Sequence, residues 1–229
     1  MNQSRKEFLK KGVAGLAGIS AFTATGVASK GNSLAINALT QMSSDQVSSI
    51  KPVVVSTWIH GILANEEAWK VLGNGGTSLD AVELGVKTAE ADPTNQSVGL
   101  GGLPDREGRV TLDACIMNHE QQCGSVAFLE HIVHPISVAR KVMEETPHVM
   151  LVGKGALQFA EQQGFKRENL LTEDSEKAWR KWLEDSRYAP VINVENHDTI
   201  GMLALDESGN LSGACTTSGA AYKMHGRVG

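Results

Sequence analysis

The sequence predicts a mixed α and β fold of the α+β type, and three observations carry that prediction. Short apolar, β-prone runs recur from Val53 to Thr217, and helical patterns with caps and glycine stops lie between them. The last two strand-like runs are separated by a tight polar turn, "DESGN", which marks a hairpin. No internal repeat interrupts this pattern. At 229 residues, with 41% hydrophobic and 21% charged side chains, the composition suits one large globular domain or one domain plus a targeting segment. A net charge of −5 supplies no basic excess for nucleic acid. No apolar run reaches the ~18 residues of a membrane-spanning helix.

Residues 1–28 read as an export signal. The basic "SRKEFLKK" precedes a mildly apolar stretch of small residues, with Gly26 and Ala28 placed for cleavage. It resembles a twin-arginine signal in which Lys6 stands at the second arginine, so the protein is expected in the periplasm or secreted, free of the membrane after signal removal. Residues 29–50, rich in Ser, Asn and Gln, read as a linker.

The body is expected to begin with "KPVVVSTW", a β-branched strand ending in Trp58. A helix capped by Asn65 follows and stops at "GNGG". In "TSLDAVELGVKTAEADP", Thr77 and Asp80 fit a capping box and Pro93 ends the helix. "SVGLGGLPDREG" is a glycine-rich loop. "RVTLDACIM" and "GSVAFL" read as a strand pair around a turn near 121–124. Pro135 suits a first helical position, for a helix running to about Thr146. "HVMLVG" is a strand and "KGALQFAEQQG" a helix closed by Gly164. The charged helix "SEKAWRKWLEDS" directs Trp179 and Trp182 inwards. The strands 199–206 and "LSGACTTSG" complete the pattern.

Cys115, Cys123 and Cys215 form no C-x-x-C pair, so neither a zinc site nor a redox motif is indicated. Cys115 and Cys123 can pair in an oxidising compartment, or all three can be buried free thiols. His119, His131, His134 and His148 lack metal-ligand spacing and read as structural or exposed. No metal or organic cofactor is expected.

The chemically informative stretch is "VENHDTIGMLALD", 194–206, where a polar loop delivers His197, Asp198 and Thr199 onto the first residues of an apolar strand. Breaking the Asp198–Thr199 bond leaves Thr199 with a hydroxyl nucleophile and a free α-amine on one residue. That amine titrates near pH ~7.7–8.0 and can accept the hydroxyl proton without a separate histidine base. The break itself can be intramolecular: Thr199 Oγ attacks the Asp198 carbonyl, and water cleaves the resulting ester. Strain of order 1–3 kcal/mol in that peptide favours the shift. Asp198 and His197 are placed to assist with the proton. From these three residues alone, a threonine chosen for strand propensity is the commoner explanation.

The block from Asn196 to Gly229, "NHDTIGMLALDESGNLSGACTTSGAAYKMHGRVG", resembles the self-processing centre of the glycosylasparaginase (aspartylglucosaminidase) family of N-terminal-nucleophile hydrolases. "STW", "NGGTSLDAVE", "SVGLGGLPD", "TLDACIM", "ISVARKVME" and "VMLVGKGALQFA" resemble that family in the same order, so the likeness covers about residues 51 to 229. It implies a four-layer αββα sandwich, with 51–198 as the α-chain of a precursor and 199–229 as the start of the β-chain. It implies Thr199 as nucleophile, Asp198 across the cut, His197 as an aid to processing and Thr217 as a hydrogen-bonding neighbour of the nucleophile. Substrate binding falls to Trp58, Ser97 and Arg227, with Val228 and Gly229 beside it. A bidentate arginine suits a substrate α-carboxylate. Without the resemblance, Trp58 reads as core, Thr217 as a strand threonine, Ser97 as a turn residue and Arg227 as a surface ion-pair partner.

The implied reaction is hydrolysis of the N4-(β-N-acetylglucosaminyl)-L-asparagine linkage in small glycoasparagines. It would proceed through a β-aspartyl ester on Thr199, without cofactor, in a cleaved αβ heterodimer and often a dimer of these. The related isoaspartyl peptidase/asparaginase group is the alternative, and an inactive exported fragment is another. Asp198 and "KMHGRVG" favour glycosylasparaginase. The family continues beyond Gly-Arg-Val-Gly with an aspartate for the substrate amino group and a threonine-glycine oxyanion segment. The sequence therefore predicts a truncated precursor and an incomplete sandwich.

Overall fold

A computed structural model describes residues 50–185 and 199–229. The leader, nearly all of the linker, His197 and Asp198 lie outside the described residues. Among these residues there are five helices and one six-stranded sheet, so the mixed architecture expected from the sequence is present.

The elements in chain order are β1 (Val53–Ser56), α1 (Gly61–Gly73), α2 (Ser78–Ala91), β2 (Leu112–Met117), β3 (Cys123–Leu129) and α3 (Pro135–Glu145). They continue with β4 (Met150–Val152), α4 (Gly153–Gln162), α5 (Glu173–Glu184), β5 (Ile200–Leu205) and β6 (Leu211–Thr217). The sheet order is β1-β5-β6-β2-β3-β4, with every neighbouring pair antiparallel except β3–β4. The two central strands, β6 and β2, are thus far apart in sequence.

Two expectations near the start are corrected. The first strand stops at Ser56, and Trp58 has φ 63° and is 51% exposed. The first helix begins at Gly61, four residues before Asn65, and His60 caps it without a side-chain hydrogen bond. The early start comes from a turn in which Gly61 N–H bonds the Trp58 carbonyl and Ser56 Oγ donates to the Gly61 carbonyl at 2.9 Å. A Cβ at position 61 would collide with Ser56 Oγ, so glycine is what lets the helix begin this close to the strand.

The second helix follows its sequence signals. Thr77 Oγ1 accepts the Asp80 amide at 3.1 Å, as a cap should. Asp206, at the end of β5, accepts the Ser78 amide at 3.2 Å and the Asn210 amide at 2.9 Å, joining the α2 start to the hairpin turn. Burial pushes the Asp206 carboxyl up, but the hydrogen bonds from Asn210 and Ser78 outweigh it and hold the group below the usual aspartate value.

Helices α2 and α3 cover one sheet face. The core there contains Val82, Val86, Ile116, Val126, Ile136, Val142, Ile200 and Met202, all nearly inaccessible. Gly124 permits this contact, because a Cβ there would strike the Ala139 carbonyl of α3. Trp179 and Trp182 of α5 pack against loops instead of this core: Trp179 Nε1 donates to the Arg106 carbonyl, and Trp182 stacks on Tyr222 at 4.7 Å. The opposite sheet face is uncovered among the described residues. Val55, Leu203, Leu211, Met117 and Met150 are each at least 44% exposed, and this face lines a cleft of about 840 Å³.

Candidate active site

The register of β5 and β6 sets the site. Ile200 lies opposite Thr216 and Gly201 opposite Cys215, so the ladder extended by one residue faces Thr199 with Thr217. Side chains alternate along a strand, which puts Thr199, Thr217 and Cys215 on the open side while Ile200 and Thr216 point to the core. Thr199 Oγ1 donates to Thr217 Oγ1 at 3.1 Å. Thr217 Oγ1 in turn donates to the Ser97 carbonyl at 3.4 Å and accepts the Gly219 amide at 2.9 Å. A hydroxyl whose proton points to an oriented acceptor presents its lone pairs elsewhere, which is what an attacking oxygen requires.

The backbone of Thr199 is held as well. Thr57 Oγ1 donates to the Thr199 carbonyl at 3.0 Å and accepts the Gly201 amide at 2.9 Å. The Thr57 amide completes the clasp on the Gly201 carbonyl at 3.0 Å. The end of β1 thereby fixes the start of β5. Trp58, next in the chain, is exposed on this rim and not in the core, against the reading from sequence without the resemblance.

Ser97 contributes through its backbone, since its carbonyl also accepts the Ser218 amide at 2.8 Å. The loop carrying it is seated by Gly99, at φ 65°, where a Cβ would meet the Glu90 backbone. Glu90 itself is fully buried: Oε1 accepts from Thr216 Oγ1 at 2.8 Å and Ile136 N–H at 3.1 Å, and Oε2 lies 3.1 Å from His134 Nδ1. Burial pushes its carboxyl above the usual glutamate value, and the hydrogen bonds from His134, Thr216 and Ile136 oppose this only in part.

The segment after β6 folds back over the strand ends. Lys223 is 2% exposed; its Nζ donates to the Ser218 carbonyl at 2.9 Å and the Thr111 carbonyl at 3.4 Å, with Asp113 Oδ2 at 3.7 Å. Burial pulls the Lys223 ammonium below its usual value, while Asp113 opposes that fall. Asp113, register partner of Thr217, accepts the Gly229 amide at 2.8 Å. Arg227 donates from Nη1 to the Gly229 carbonyl, and both Arg227 and Val228 are exposed.

The structure thus joins Thr199, Thr217 and Ser97 directly. Gly229 joins them through Asp113, and Arg227 through Gly229. Thr57, Asp113 and Lys223 were not singled out from sequence. Asp113 carries the one legible signal, a lone acid inside the apolar run "TLDACIM". Among the described residues, no cluster of three His, Cys, Asp or Glu side chains could hold a metal ion.

Comparison with known proteins adds the chemical context. A family profile described as asparaginase matches residues 31–229. A protein of Elizabethkingia miricola named N(4)-(Beta-N-acetylglucosaminyl)-L-asparaginase is 59% identical to this chain over all of it and over 64% of that relative's length. A mouse (Mus musculus) protein of the same name is 36% identical over 80% of this chain and 62% of its own length. A rat (Rattus norvegicus) protein of that name is 35% identical, over 78% of this chain and 60% of its own length. The chain therefore spans less than two thirds of the length of these relatives.

Proposed function

This chain belongs to the asparaginase family, and from that premise we propose that Thr199 is the nucleophile of a self-processing amidohydrolase acting on the N4-(β-N-acetylglucosaminyl)-L-asparagine linkage. The observation that carries this reading is the 3.1 Å contact from Thr199 Oγ1 to Thr217 Oγ1 immediately before β5, on the open sheet face. The names of the relatives supply the substrate class.

In the processing step, Thr199 Oγ attacks the carbonyl of Asp198, the amide becomes an ester, and water releases the Asp198 carboxylate and the Thr199 α-amine. Thr217 receives the hydrogen bond of the hydroxyl and Thr57 holds the adjoining peptide, so the nucleophile meets the bond at a fixed angle. His197 assists at the preceding residue. In the catalytic step, the freed amine takes the proton of the same hydroxyl while Oγ attacks the side-chain carbonyl of the substrate asparagine. The glycosylamine leaves with a proton, and water then hydrolyses the β-aspartyl ester to regenerate Thr199. Arg227 binds the α-carboxylate, with Trp58, Ser97, Val228 and Gly229 lining the site.

The uncovered sheet face suits a second sheet, as in a four-layer αββα sandwich, because a row of exposed Val55, Leu203 and Met117 side chains is most stable when packed. The working form is a cleaved αβ pair, itself able to dimerise, exported by the leader at 1–28.

Intact mass of the purified protein under denaturing conditions tests the reading, beside Thr199→Ala. Two fragments separated between Asp198 and Thr199, absent from the variant, are expected; a soluble, folded and uncut parent overturns self-processing. Hydrolysis of N-acetylglucosaminyl-asparagine, compared with isoaspartyl dipeptides, then tests the substrate. Preference for the dipeptides overturns the glycoasparagine assignment.

A further inference from the structure

We propose that Glu90 is the positioning residue of the Thr199 site, holding Thr217 and the Ser97 carbonyl in place against each other from the helix-covered side of the sheet. The grip lies between α2, α3 and β6, so it does not depend on what packs over the opposite face. Its effect on cleavage rests on the Thr199 reading; its hold on Thr217 does not.

A glutamate is seldom fully buried unless it is paired, and Glu90, in the last turn of α2, draws every side-chain partner from another element. Its side chain and its backbone act on the two sides of Thr217. Through the side chain, Oε1 accepts from Thr216 Oγ1 at 2.8 Å, which fixes the penultimate residue of β6. Ile136 N–H and His134 Nδ1, each 3.1 Å away, hold the same carboxyl from the start of α3, so it cannot swing with the strand. Through the backbone, the Glu90 carbonyl accepts the Leu100 amide at 2.8 Å. Gly99 packs so closely there that a Cβ would lie 2.2 Å from that carbonyl oxygen. The loop seated in this way carries Ser97, whose carbonyl accepts from Thr217 Oγ1 at 3.4 Å and from the Ser218 amide at 2.8 Å.

One buried residue therefore sets both the strand end that carries Thr217 and the acceptor that orients its hydroxyl. The contact from Thr217 to Ser97 is already at the long limit of a hydrogen bond, so a relative shift of tenths of an ångström breaks it. Thr217 Oγ1 then loses the direction of its proton, and with it the lone pair aimed at Thr199. What the grip needs is length and an acceptor oxygen, not a charge. Glutamine supplies both, with Oε1 accepting from Thr216 and Ile136 and Nε2 donating to His134. Aspartate keeps the carboxylate but is one methylene too short to reach.

The test reads amide exchange by NMR in the full chain carrying Thr199→Ala, which stays in one piece, and adds Glu90→Gln, Glu90→Asp or Thr216→Val. Thr216→Val removes only the hydroxyl on a β-branched strand residue, so it decides the matter even if Glu90→Asp does not fold. Exchange at Ser218 and Gly219, whose amides bond the Ser97 carbonyl and Thr217 Oγ1, should rise about 10-fold in Glu90→Asp and Thr216→Val and stay at the parent rate in Glu90→Gln. Asn210, bonded to Asp206 at the hairpin turn, should not change. With Thr199 present, time courses of intact mass should show cleavage slowed about 10-fold in the same two variants, less than the ~10²-fold of a 1 Å misplacement. Glu90→Gln should cleave like the parent. Exchange at Ser218 and Gly219 that is unmoved by Thr216→Val, rises in step with Asn210, or rises equally in Glu90→Gln overturns the proposal. Cleavage of Thr216→Val at the parent rate overturns it as well. An uncut parent fails the Thr199 reading instead, and the exchange pattern then decides the proposal by itself.

Discussion

Thr199 carries few contacts, and each limits a different freedom. Its hydroxyl is directed by Thr217 and its carbonyl by Thr57, so both ends of one residue are held by side chains from β6 and from the residue after β1. Neither interaction exceeds an ordinary hydrogen bond of about 1 kcal/mol in stability, yet orientation of a nucleophile is worth far more in rate. Thr217→Val keeps the shape of the side chain and removes the hydroxyl, leaving Thr199 Oγ without its acceptor. Cleavage between Asp198 and Thr199 is expected to slow by about 10²-fold, by analogy with the loss of one aligned hydrogen-bonding group in an active site. A time course of intact mass checks this, alongside circular dichroism to show that the fold is retained. An unchanged rate would remove Thr217 from the processing machinery. A threonine on a β-prone run was visible in the sequence. Its pairing with Thr217, eighteen residues away across a hairpin, was implied by the family resemblance alone and by no local pattern.

Among the elements, Glu90 is where α2, α3 and β6 meet. Its folded carboxyl titrates above the ordinary glutamate value of 4.5. A raised folded value means that its contribution to stability is full below that ordinary value and is lost as pH rises through the folded one. Glu90→Gln stays neutral and can still accept from Thr216 and Ile136 while donating to His134, so it should flatten the decline in Tm from pH ~4.5 upwards. Glu90→Ala leaves Thr216, Ile136 N–H and His134 unpaired in the interior and should cost about 3 kcal/mol below pH ~4.5 and less as pH rises, read from urea unfolding. If the parent and Glu90→Gln show the same pH profile, the Glu90 carboxyl titrates alike in the folded and unfolded chain, and burial does not raise it. The helices themselves were legible, down to the Thr77 cap. The start of α1 was misplaced because it depends on Gly61 tucking under Ser56, a contact made through space.

On the scale of the molecule, among the described residues, one sheet face is covered by helices and the other presents apolar side chains. Local stability should follow the sheet order. Central strands β6 and β2 have neighbours on both sides, and Ala214 and Ile116 are nearly inaccessible. β4 is an edge strand of three residues, with Met150 and Val152 both 53% exposed. Amide hydrogen exchange should therefore be slowest at Ala214 and Ile116 and fastest in 150–152, in line with the free energies of local opening. Equal protection across the sheet would show that β4 does not end it.

Local patterning was sufficient for much of this protein. The strands and helices follow periods of two and 3.6 residues, and caps and glycine stops delimit most of them, because such signals act between neighbours in the chain. The placement of Thr199 at the head of a strand, and the family block around it, were legible for the same reason. Only the tertiary structure decided which groups meet there. Thr57 reaches Gly201 across 144 positions, the Ser97 carbonyl reaches Thr217 across 120, and Cys115 faces Cys215 and not Cys123. Those partnerships are set by strand order and register, which come from packing the whole sheet on its helices and leave no periodic mark in the sequence.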